Sequence, residues 1–414
     1  MNAEPTRQDV LAVDITSIEQ EWMRLWNESI AARQANGGHP ATRNSVLNLI
    51  VLTQRPATAR AVERALEDLS AHHPARMLVL IAQPDAPQEG MKAWINLSRY
   101  HQATGREPGV CEQAVIEASG AAVSALPGVV MRLLAPNLPV YIWWADVPLI
   151  DQPLFERLAD VCDRMIVDSA EFETIGSSFQ TLARISRSRQ YRCAVSDLNW
   201  QRSAPWRELI AQFFDTPVLR PYLHTISHLL IEYAGTEADG RTVGVSNPAQ
   251  ALLLVGWLAS SLNWSPVPGQ QKHTGGKYRL ALRTVDGDAV TVEIRPRAVE
   301  TRRKPALIKS RQQAAEQPET SPAWMVSQTV AGALSTVNIV SVYDGHTGVF
   351  TVRRSADYEH ATTSCSVDGM AWGHERTVHL DSIGRSELIH AELDALGHDQ
   401  PFEDALSVAG ALAE

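Results

Sequence analysis

The feature that most constrains the fold is a pair of continuous apolar segments on either side of an amphipathic one. The first apolar segment is SVLNLIVL, at residues 45–52, and the second is MLVLIA, at 77–82. Largely apolar runs of this length are typical of strands buried on both faces of a parallel sheet. Between them, Val62, Leu66 and Leu69 recur at helical spacing. The three segments together predict a β-α-β unit.

Later segments extend this sheet. Alternating patterns near 92–101 and 111–118 predict an antiparallel pair, so the sheet is mixed. We therefore predict an α/β domain with a mixed, Rossmann-like sheet over 39–216, preceded over 1–38 by an amphipathic helix that a Thr16 and Glu19 capping box begins. The remaining predicted elements are a helix before Pro136, the strand LPVYIWWA, a helix over 153–161, the strand RMIVDS, a helix over 174–187 and one between Asp197 and Asp215 that carries Pro205 near its start.

The second half of the chain has a different pattern. Asp-Gly pairs at 286–287, 344–345 and 368–369 separate alternating segments, which is typical of hairpins. With Pro217 and Pro221 marking the boundary, we predict an α+β domain with a mostly antiparallel sheet over 217–414. Its other predicted features are a helix over 248–262 capped by Asn247, a helix after Ser386 that stops at Gly397, and a mobile loop over 296–322.

Charge and composition narrow the choice of partner and compartment. The chain has 37 basic and 47 acidic residues, a balance that disfavours a nucleic-acid partner. Its most apolar helical stretch, 249–262, is shorter than the roughly 20 residues of a membrane span. The N-terminus MNAEPTRQDV has no export-signal pattern, and none of the four cysteines stands in a CxxC pair. We expect a cytoplasmic protein with no membrane partner.

The first predicted β-α turn lacks the residues that a dinucleotide site needs. It reads TQRPATAR, and no glycine occurs over 41–89. Without glycines the backbone cannot approach a pyrophosphate closely, so no nucleotide cofactor is predicted. The main rival hypothesis is an enzyme or sensor that binds a sugar phosphate or nucleotide in a non-standard cleft. It would use the mobile loop over 296–322, which contains several basic residues, or the arginines of LARISRSRQYR. These arginines are Arg184, Arg187, Arg189 and Arg192.

One segment raises a metal hypothesis. On a helix, His224, His228 and Glu232 would align as three ligands. The same segment, LHTISHLLIEYA, also alternates, and on a strand its histidines would be ordinary half-buried residues. The strand interpretation is the stronger one, and no metal is predicted.

Four segments, in one order, resemble a known family. They are AHHPARMLVL, LPVYIWWADVP, RMIVDS and DLNWQRSAPWRELIAQFFD. They look like the OpcA family of glucose-6-phosphate dehydrogenase assembly proteins, and the resemblance extends from about Asn44 onward. It implies a non-catalytic factor that promotes assembly and activity of that dehydrogenase in the oxidative pentose phosphate pathway.

The resembling segments contain the candidate partner-binding residues. Adjacent strand residues point to opposite sides of a sheet, so at least one of the two tryptophans in LPVYIWWADVP should be core, while the other could anchor a partner. The tryptophans of the later segment have the same ambiguity, and core packing is the favoured role. The candidates are Trp143, Trp144, Asp197, Asn199, Trp200, Trp206 and Arg207.

The resemblance also raises the question of redox control. Cyanobacterial members of the family are associated with thioredoxin control through cysteines near the C-terminus. In this chain the last cysteine is Cys365, and none follows it over 371–414. Control by that route is therefore not expected here.

Overall fold

The protein consists of two compact units. A computed structural model describes residues 11–35, 45–100, 109–150, 152–188, 192–235, 247–298, 332–355, 359–380, 383–395 and 397–413. Contacts assign the described residues within 1–171, 185–196 and 389–398 to the first unit. Those within 172–184, 197–388 and 399–413 form the second. The sequence predicts a boundary after residue 216, and by contacts residues 197–388 group with the second unit.

The first unit is built on an eight-stranded sheet in the order β1-β4-β5-β3-β2-β6-β7-β8. Its strands are β1 (Leu11–Val13), β2 (Leu47–Thr53), β3 (Ala75–Gln83), β4 (Gly90–Tyr100), β5 (Gly109–Ser119), β6 (Val140–Trp144), β7 (Arg164–Val167) and β8 (Ala194–Asp197). The helices along this part of the chain are α1 (Ile18–Ala35), α2 (Pro56–His72), α3 (Leu126–Leu133), α4 (Pro153–Ala159) and α5 (Ile175–Arg187).

The strand order is that of a Rossmann fold. From β5 to β8 the order is third, second, first, fourth, fifth and sixth when β2 is counted as the first strand and β4 is left out of the count. The pairs from β5 through β3, β2 and β6 to β7 are parallel, and β4 and β1 add antiparallel pairs beyond β5. Every residue of β2 and of β6 is buried, as their apolar runs predict. The predicted mixed, Rossmann-like sheet is confirmed.

Strand β4 stands where a Rossmann fold would have a crossover helix. The chain leaves β3, passes the end of β5 and returns as β4. Gly120, directly after β5, allows this passage because its φ is +59° and a Cβ there would lie 3.4 Å from the carbonyl oxygens of Ala86 and Gln88. The mixed character of the sheet comes from the antiparallel pairs of β4 with β5 and of β1 with β4.

The N-terminal helix α1 lies against the first sheet through Ile18 and Trp22, which are fully buried. The Trp22 indole donates a hydrogen bond to the Gln113 carbonyl at 3.3 Å. The predicted capping residue is wrong. A short 3₁₀ turn precedes α1, and the Asp14 carboxylate caps it by accepting from the Thr16 amide at 3.1 Å. Thr16 is therefore inside the first turn and not at its cap.

Two buried arginines stabilise the first unit. Arg76 on β3 forms an ion pair with Glu112 at 2.7 Å and donates to the Leu133 carbonyl at 2.8 Å. Arg164 on β7 forms an ion pair with Glu392 at 3.2 Å and donates to the Gly397 carbonyl at 2.5 Å. The second set of contacts explains why residues 389–398 belong to this unit although they are distant in sequence.

The second unit is built on a ten-stranded sheet in the order β10-β12-β13-β9-β14-β15-β16-β17, with β11 beside β12 and β18 beside β16. All its pairs are antiparallel except β13 with β9. Its strands are β9 (Ile226–Gly235), β10 (Ser265–Pro266), β11 (Lys272–Thr274), β12 (Lys277–Arg283), β13 (Ala289–Ala298), β14 (Leu334–Tyr343), β15 (His346–Arg354), β16 (His360–Val367), β17 (Met370–Ala371) and β18 (Arg376–His379). The helices are α6 (Leu198–Arg202), α7 (Ala204–Phe213), α8 (Ala249–Ser261), α9 (Arg385–Asp394) and α10 (Gln400–Leu412).

Each predicted Asp-Gly pair turns a hairpin. Asp344 and Gly345, with φ of 51° and 81°, join β14 to β15, and Asp368 and Gly369, with φ of 50° and 77°, join β16 to β17. Positive φ at both positions matches the twist of the flanking strands. The third pair lies in the turn between β12 and β13, where Gly287 has a φ of 92°. The predicted α+β architecture with a mostly antiparallel sheet is confirmed.

Helices α8 and α10 pack closely in the second unit. A Cβ on Gly256 of α8 would lie 2.2 Å from the carbonyl oxygen of Ala405 on α10, so only glycine fits there. The Asn247 side chain accepts from the Ala249 amide at 2.9 Å, as the predicted cap requires. Helix α9 ends before Gly397, and α10 then follows, which the sequence analysis did not predict.

The helix predicted between Asp197 and Asp215, with Pro205 near its start, is α7, which carries Pro205 in its first turn. The short helix α6 before it was not predicted. The loop expected from 296 is strand through Ala298. Pro296 is tolerated in β13 because β12 ends opposite Ile294, so that one edge of β13 is free of a ladder there. Most of the predicted loop lies outside the described residues.

Candidate functional site

In an open α/β sheet, the place to look for a ligand is the carboxyl edge where the strand order reverses. Here that place lies between β2 and β6, whose parallel register pairs Leu52 with Trp144. The residues that follow these two strands, Thr53–Arg55 and Asp146, meet at this edge. We call this group the switch-point cluster.

Asp146 is the centre of the switch-point cluster. It is 1% exposed. One carboxylate oxygen accepts from the Thr53 hydroxyl at 2.5 Å and from the Arg55 guanidinium at 3.2 Å. Both oxygens lie 3.3 Å from the backbone nitrogen of Gln54. A carboxylate of the chain itself thus binds the amide that opens the first β-α turn.

The remaining contacts close this turn. The Thr53 hydroxyl accepts from the Arg55 amide at 3.0 Å, and the Gln54 side chain donates to the Val147 carbonyl at 3.0 Å. Helix α2 begins at Pro56, which has no N–H to offer an anion. A pyrophosphate binds at such a turn through free N–H groups at a helix start and through a glycine backbone. The residues present do not fit a dinucleotide at this position.

Trp143 and Trp144 are both buried inside the first unit at 1% exposure. The sheet is covered on both faces, so neighbouring residues that point to opposite sides are both core. The Trp144 ring lies 5.3 Å from that of Phe155, and its indole nitrogen has no hydrogen-bond partner among the described residues. The sequence required only one of the two to be core.

Asp197 and Asn199 hold the start of α6. The Asp197 carboxylate caps the helix by accepting from the Asn199 amide at 2.9 Å. The Gln250 side chain donates to the Asn199 side chain at 3.3 Å and accepts from the Leu334 amide at 2.9 Å. These polar residues therefore join α6 and α8 to the second sheet.

Trp200 and Arg207 form one packed cluster with Asp399. The Trp200 indole donates to the Asp399 carboxylate at 3.0 Å, and the Arg207 guanidinium lies 3.4 Å from the Trp200 ring centroid. Arg207 also donates to the Trp200 carbonyl at 2.7 Å. Burial lowers the pKa of Arg207 to about 10, against the attraction of Asp399. The cluster fixes α7 and the start of α10 to α6.

Trp206 lies in the apolar interior of the second unit at 1% exposure. It shares the buried face of α7 with Leu209 and Ile210, and the Arg354 guanidinium lies 5.6 Å from its ring centroid. Contacts within the chain thus account for all seven candidate residues. Their use in binding a partner stays a prediction.

The metal hypothesis does not fit the observed fold. His228 and Glu232 lie on strand β9, and His224 precedes it in a 3₁₀ turn, so the helical alignment of the three does not occur. Glu232 pairs with Arg295 at 2.7 Å and with Arg297 at 3.5 Å. Burial opposes its ionisation, but the ion pairs with Arg295 and Arg297 outweigh burial and lower the pKa of Glu232. Across the described ranges, no group of histidine, cysteine, aspartate or glutamate could hold a metal ion.

The sequence analysis missed a surface on the second sheet. Along β9, β12, β13, β14 and β15 buried residues alternate with half-buried or exposed ones, so one face is covered and the other is open. The alternation itself was visible, but no motif distinguished the open face. In the part of the chain that the structure describes, no helix is both long and apolar enough to cross a membrane.

Fold and site together define a Rossmann-type protein whose pyrophosphate position is filled by its own carboxylate. Residues 66–184 match the family profile described as the glucose-6-phosphate dehydrogenase subunit N-terminal domain, and residues 193–406 match the corresponding C-terminal domain. These matches cover more than half of the chain. The chain belongs to the OpcA family of glucose-6-phosphate dehydrogenase subunits.

Relatives that bear the name OpcA come from cyanobacteria. One from Synechococcus elongatus is 37% identical over 187 residues, which are 44% of this chain and 39% of the relative. One from Nostoc punctiforme is 33% identical over 231 residues, which are 56% of this chain and 46% of the relative. The matched region thus spans less than half the length of either relative.

Among solved structures, a levoglucosan dehydrogenase in complex with NADH and L-sorbose is similar with a TM-score of 0.45 and 12% identity, covering 88% of this chain and 94% of the other. A 3-ketoreductase from Actinomadura kijaniata in complex with NADP is similar with a TM-score of 0.44, also at 12% identity, covering 89% and 96%. Likenesses of this size support no statement about activity.

Proposed function

We propose that this chain is a non-catalytic assembly factor and allosteric activator of glucose-6-phosphate dehydrogenase. It acts in the cytoplasm on the oxidative pentose phosphate pathway. Family membership supports the choice of partner, because both matched domains are described as parts of a glucose-6-phosphate dehydrogenase subunit. The OpcA relatives carry the OxPP cycle in their names, which supports the pathway.

One observation supports a non-catalytic role more than any other. The carboxylate of Asp146 lies on the Gln54 amide, where a Rossmann dehydrogenase would bind the cofactor pyrophosphate. A bound pyrophosphate at that turn would meet a buried like charge and an amide that already has an acceptor. A chain without cofactor chemistry of its own changes a reaction by binding an enzyme and favouring one of its states.

The test uses the purified chain and the glucose-6-phosphate dehydrogenase of the same organism. The chain is titrated into the dehydrogenase at sub-saturating glucose 6-phosphate while NADPH formation and molar mass by light scattering are followed. We expect a saturable rise in rate, a shift in the oligomer distribution, or both. The chain alone should form no NADPH, and an unrelated NADP-dependent dehydrogenase serves as the control. Unchanged rate, substrate affinity and mass at saturating chain concentration would falsify the proposal.

A further inference from the structure

The open face of the second sheet has an uncharged, partly apolar centre. On this face Leu230 of β9 lies in register with Asn338 of β14, which pairs with Thr351 of β15. In the next row, His228 of β9 lies in register with Val340 of β14, which pairs with Val349 of β15. All six side chains are half-buried although they point away from the packed side. Side chains with no carboxylate, lysine or arginine among them thus form a strip across three central strands.

Cations are concentrated around this strip. The chain as a whole has more acidic than basic residues, 47 against 37, but the open face has the opposite balance. Within the described strands it carries only two carboxylates, Glu232 and Glu293, and arginines already pair with both of them. The cations of the open face are Lys272, Lys277, Arg279, Arg283, Arg295, Arg297 and Arg353.

Four of these cations form no ion pair with another described residue. They are Lys272 on β11, Lys277 and Arg283 on β12, and Arg353 on β15, and all four are exposed. The pairs that do form are themselves open to solvent, since the Arg279, Arg295 and Arg297 side chains are 71%, 50% and 55% exposed. The open face therefore presents excess positive charge to whatever lies against it.

We propose that the open face of the second sheet is the docking surface for a flat, acidic surface of the partner dehydrogenase. This inference rests on the proposed function and adds where the contact is made. The positive charge of this face attracts an acidic partner, and the negative charge of the rest of the chain repels it. The uncharged strip supplies the central, desolvated part that a stable protein interface needs.

Two other occupants fit this face less well. A second copy of the chain, docked face to face by a two-fold axis, would set these cations against one another, and like charges across an interface disfavour association. Nucleic acid bound on a sheet is typically held by exposed aromatic rings that stack on bases. The centre of this face carries leucine, valine, threonine and asparagine instead, with His228 as its one ring.

The test compares two charge-reversal variants of the full chain. Lys277→Glu with Arg353→Glu reverses two unpaired cations of the open face. Arg60→Glu with Arg132→Glu reverses two exposed cations on α2 and α3 of the first unit, with the same change in net charge. Affinity for the dehydrogenase of the same organism is measured by titration calorimetry at low and at high salt. Thermal melts of both variants show that they are folded.

We expect the open-face variant to bind about tenfold more weakly or worse, and the control variant to bind within about twofold of wild type. Added salt should weaken wild-type binding more than binding of the open-face variant, because fewer charge pairs remain to be screened. If both variants bind the dehydrogenase as tightly as the wild-type chain does, this inference is overturned and the proposed function stands. Absence of wild-type binding would instead reject the proposed function.

Two further outcomes would also overturn the inference. In one, sedimentation shows a wild-type dimer that the open-face variant dissociates while its affinity for the dehydrogenase is unchanged. In the other, the open-face variant loses affinity for a mixed-sequence oligonucleotide and not for the dehydrogenase. Each would assign the open face to a different occupant.

Discussion

The two sheets of this protein differ in which of their faces and edges are exposed. In the first sheet the central strands are buried on both faces, and its carboxyl edge is closed by Asp146. In the second sheet one face is packed and the other is open and rich in cations. A ligand site usually lies at the edge of the first kind of sheet, whereas a partner surface needs exposed area. This difference supports our proposal that the chain contacts its partner through its second unit.

The largest difference that we expect between the two sheets is in how much one ion pair contributes to the free energy of unfolding. Arg76→Ala in the first sheet removes the ion pair with the buried Glu112 and should lower the free energy of unfolding by about 3–5 kcal/mol. Arg279→Ala removes the exposed pair with Glu293 on the second sheet and should cost about 1 kcal/mol or less. Urea denaturation of the two variants measures both values. Equal losses would show that the two sheets do not differ in this way.

A second prediction separates the packed side of the second unit from its exposed residues. Trp206→Ala removes a buried side chain from the interior and should cost about 3–5 kcal/mol. Trp372→Ala is the matched control, because that side chain is 46% exposed and its loss should change stability by no more than about 0.5 kcal/mol. Melting temperatures compare them. An unchanged melting point of the Trp206 variant with lost dehydrogenase binding would make this residue an interface anchor.

The third prediction concerns the closed edge of the first sheet. Asp146→Asn weakens the bonds to Thr53 and Arg55, and we expect it to lower the free energy of unfolding by about 1–3 kcal/mol. Asp85→Asn, at an exposed site, is the control. Neither wild type nor variant should bind NADP tightly, since Pro56 and the absence of glycine remain. Titration calorimetry with NADP and with glucose 6-phosphate measures this. Sub-micromolar NADP binding by the wild-type chain would refute the interpretation of this edge as closed.

The smallest expected effect is that of reductant. Burial raises the pKa of the Cys111 and Cys365 thiols to about 11, and burial raises that of Cys162 well above its usual range. Little reactive thiolate therefore exists near neutral pH. Activation of the dehydrogenase should be the same after treatment of the chain with a dithiol or with a mild oxidant. A large difference that Cys365→Ser abolishes would place a redox control at this residue.

Much of the fold could be predicted because its signals are local. The apolar runs of β2 and β3 and the Asp-Gly turns each determine structure within a few residues. Helix α10 had such a signal too. Asp399 precedes Pro401 and accepts from the Phe402 amide at 3.1 Å, yet the tail was interpreted only through its family likeness. Pro205 marked the start of α7 correctly, whereas no comparable signal marked the short helix α6 before it.

The sites were harder to predict because their contacts join residues far apart in the chain. Asp146 meets Thr53 across 93 positions, and Trp200 meets Asp399 across 199. No local pattern marks such pairs. The absence of glycine predicts that the first turn does not hold a dinucleotide, but it does not point to Asp146 as the group bound there. Alternation showed that the second sheet has two different faces, whereas only packing decides which face is open.

The central claim is that this chain acts on glucose-6-phosphate dehydrogenase and not on a substrate of its own. The most direct measurement is the rate of NADPH formation by that enzyme at sub-saturating glucose 6-phosphate as the purified chain is added. The account predicts a rate that rises and saturates, with no NADPH formed by the chain alone. NADPH formation by the chain without the dehydrogenase, or a dehydrogenase unchanged in rate, affinity and mass, would contradict it.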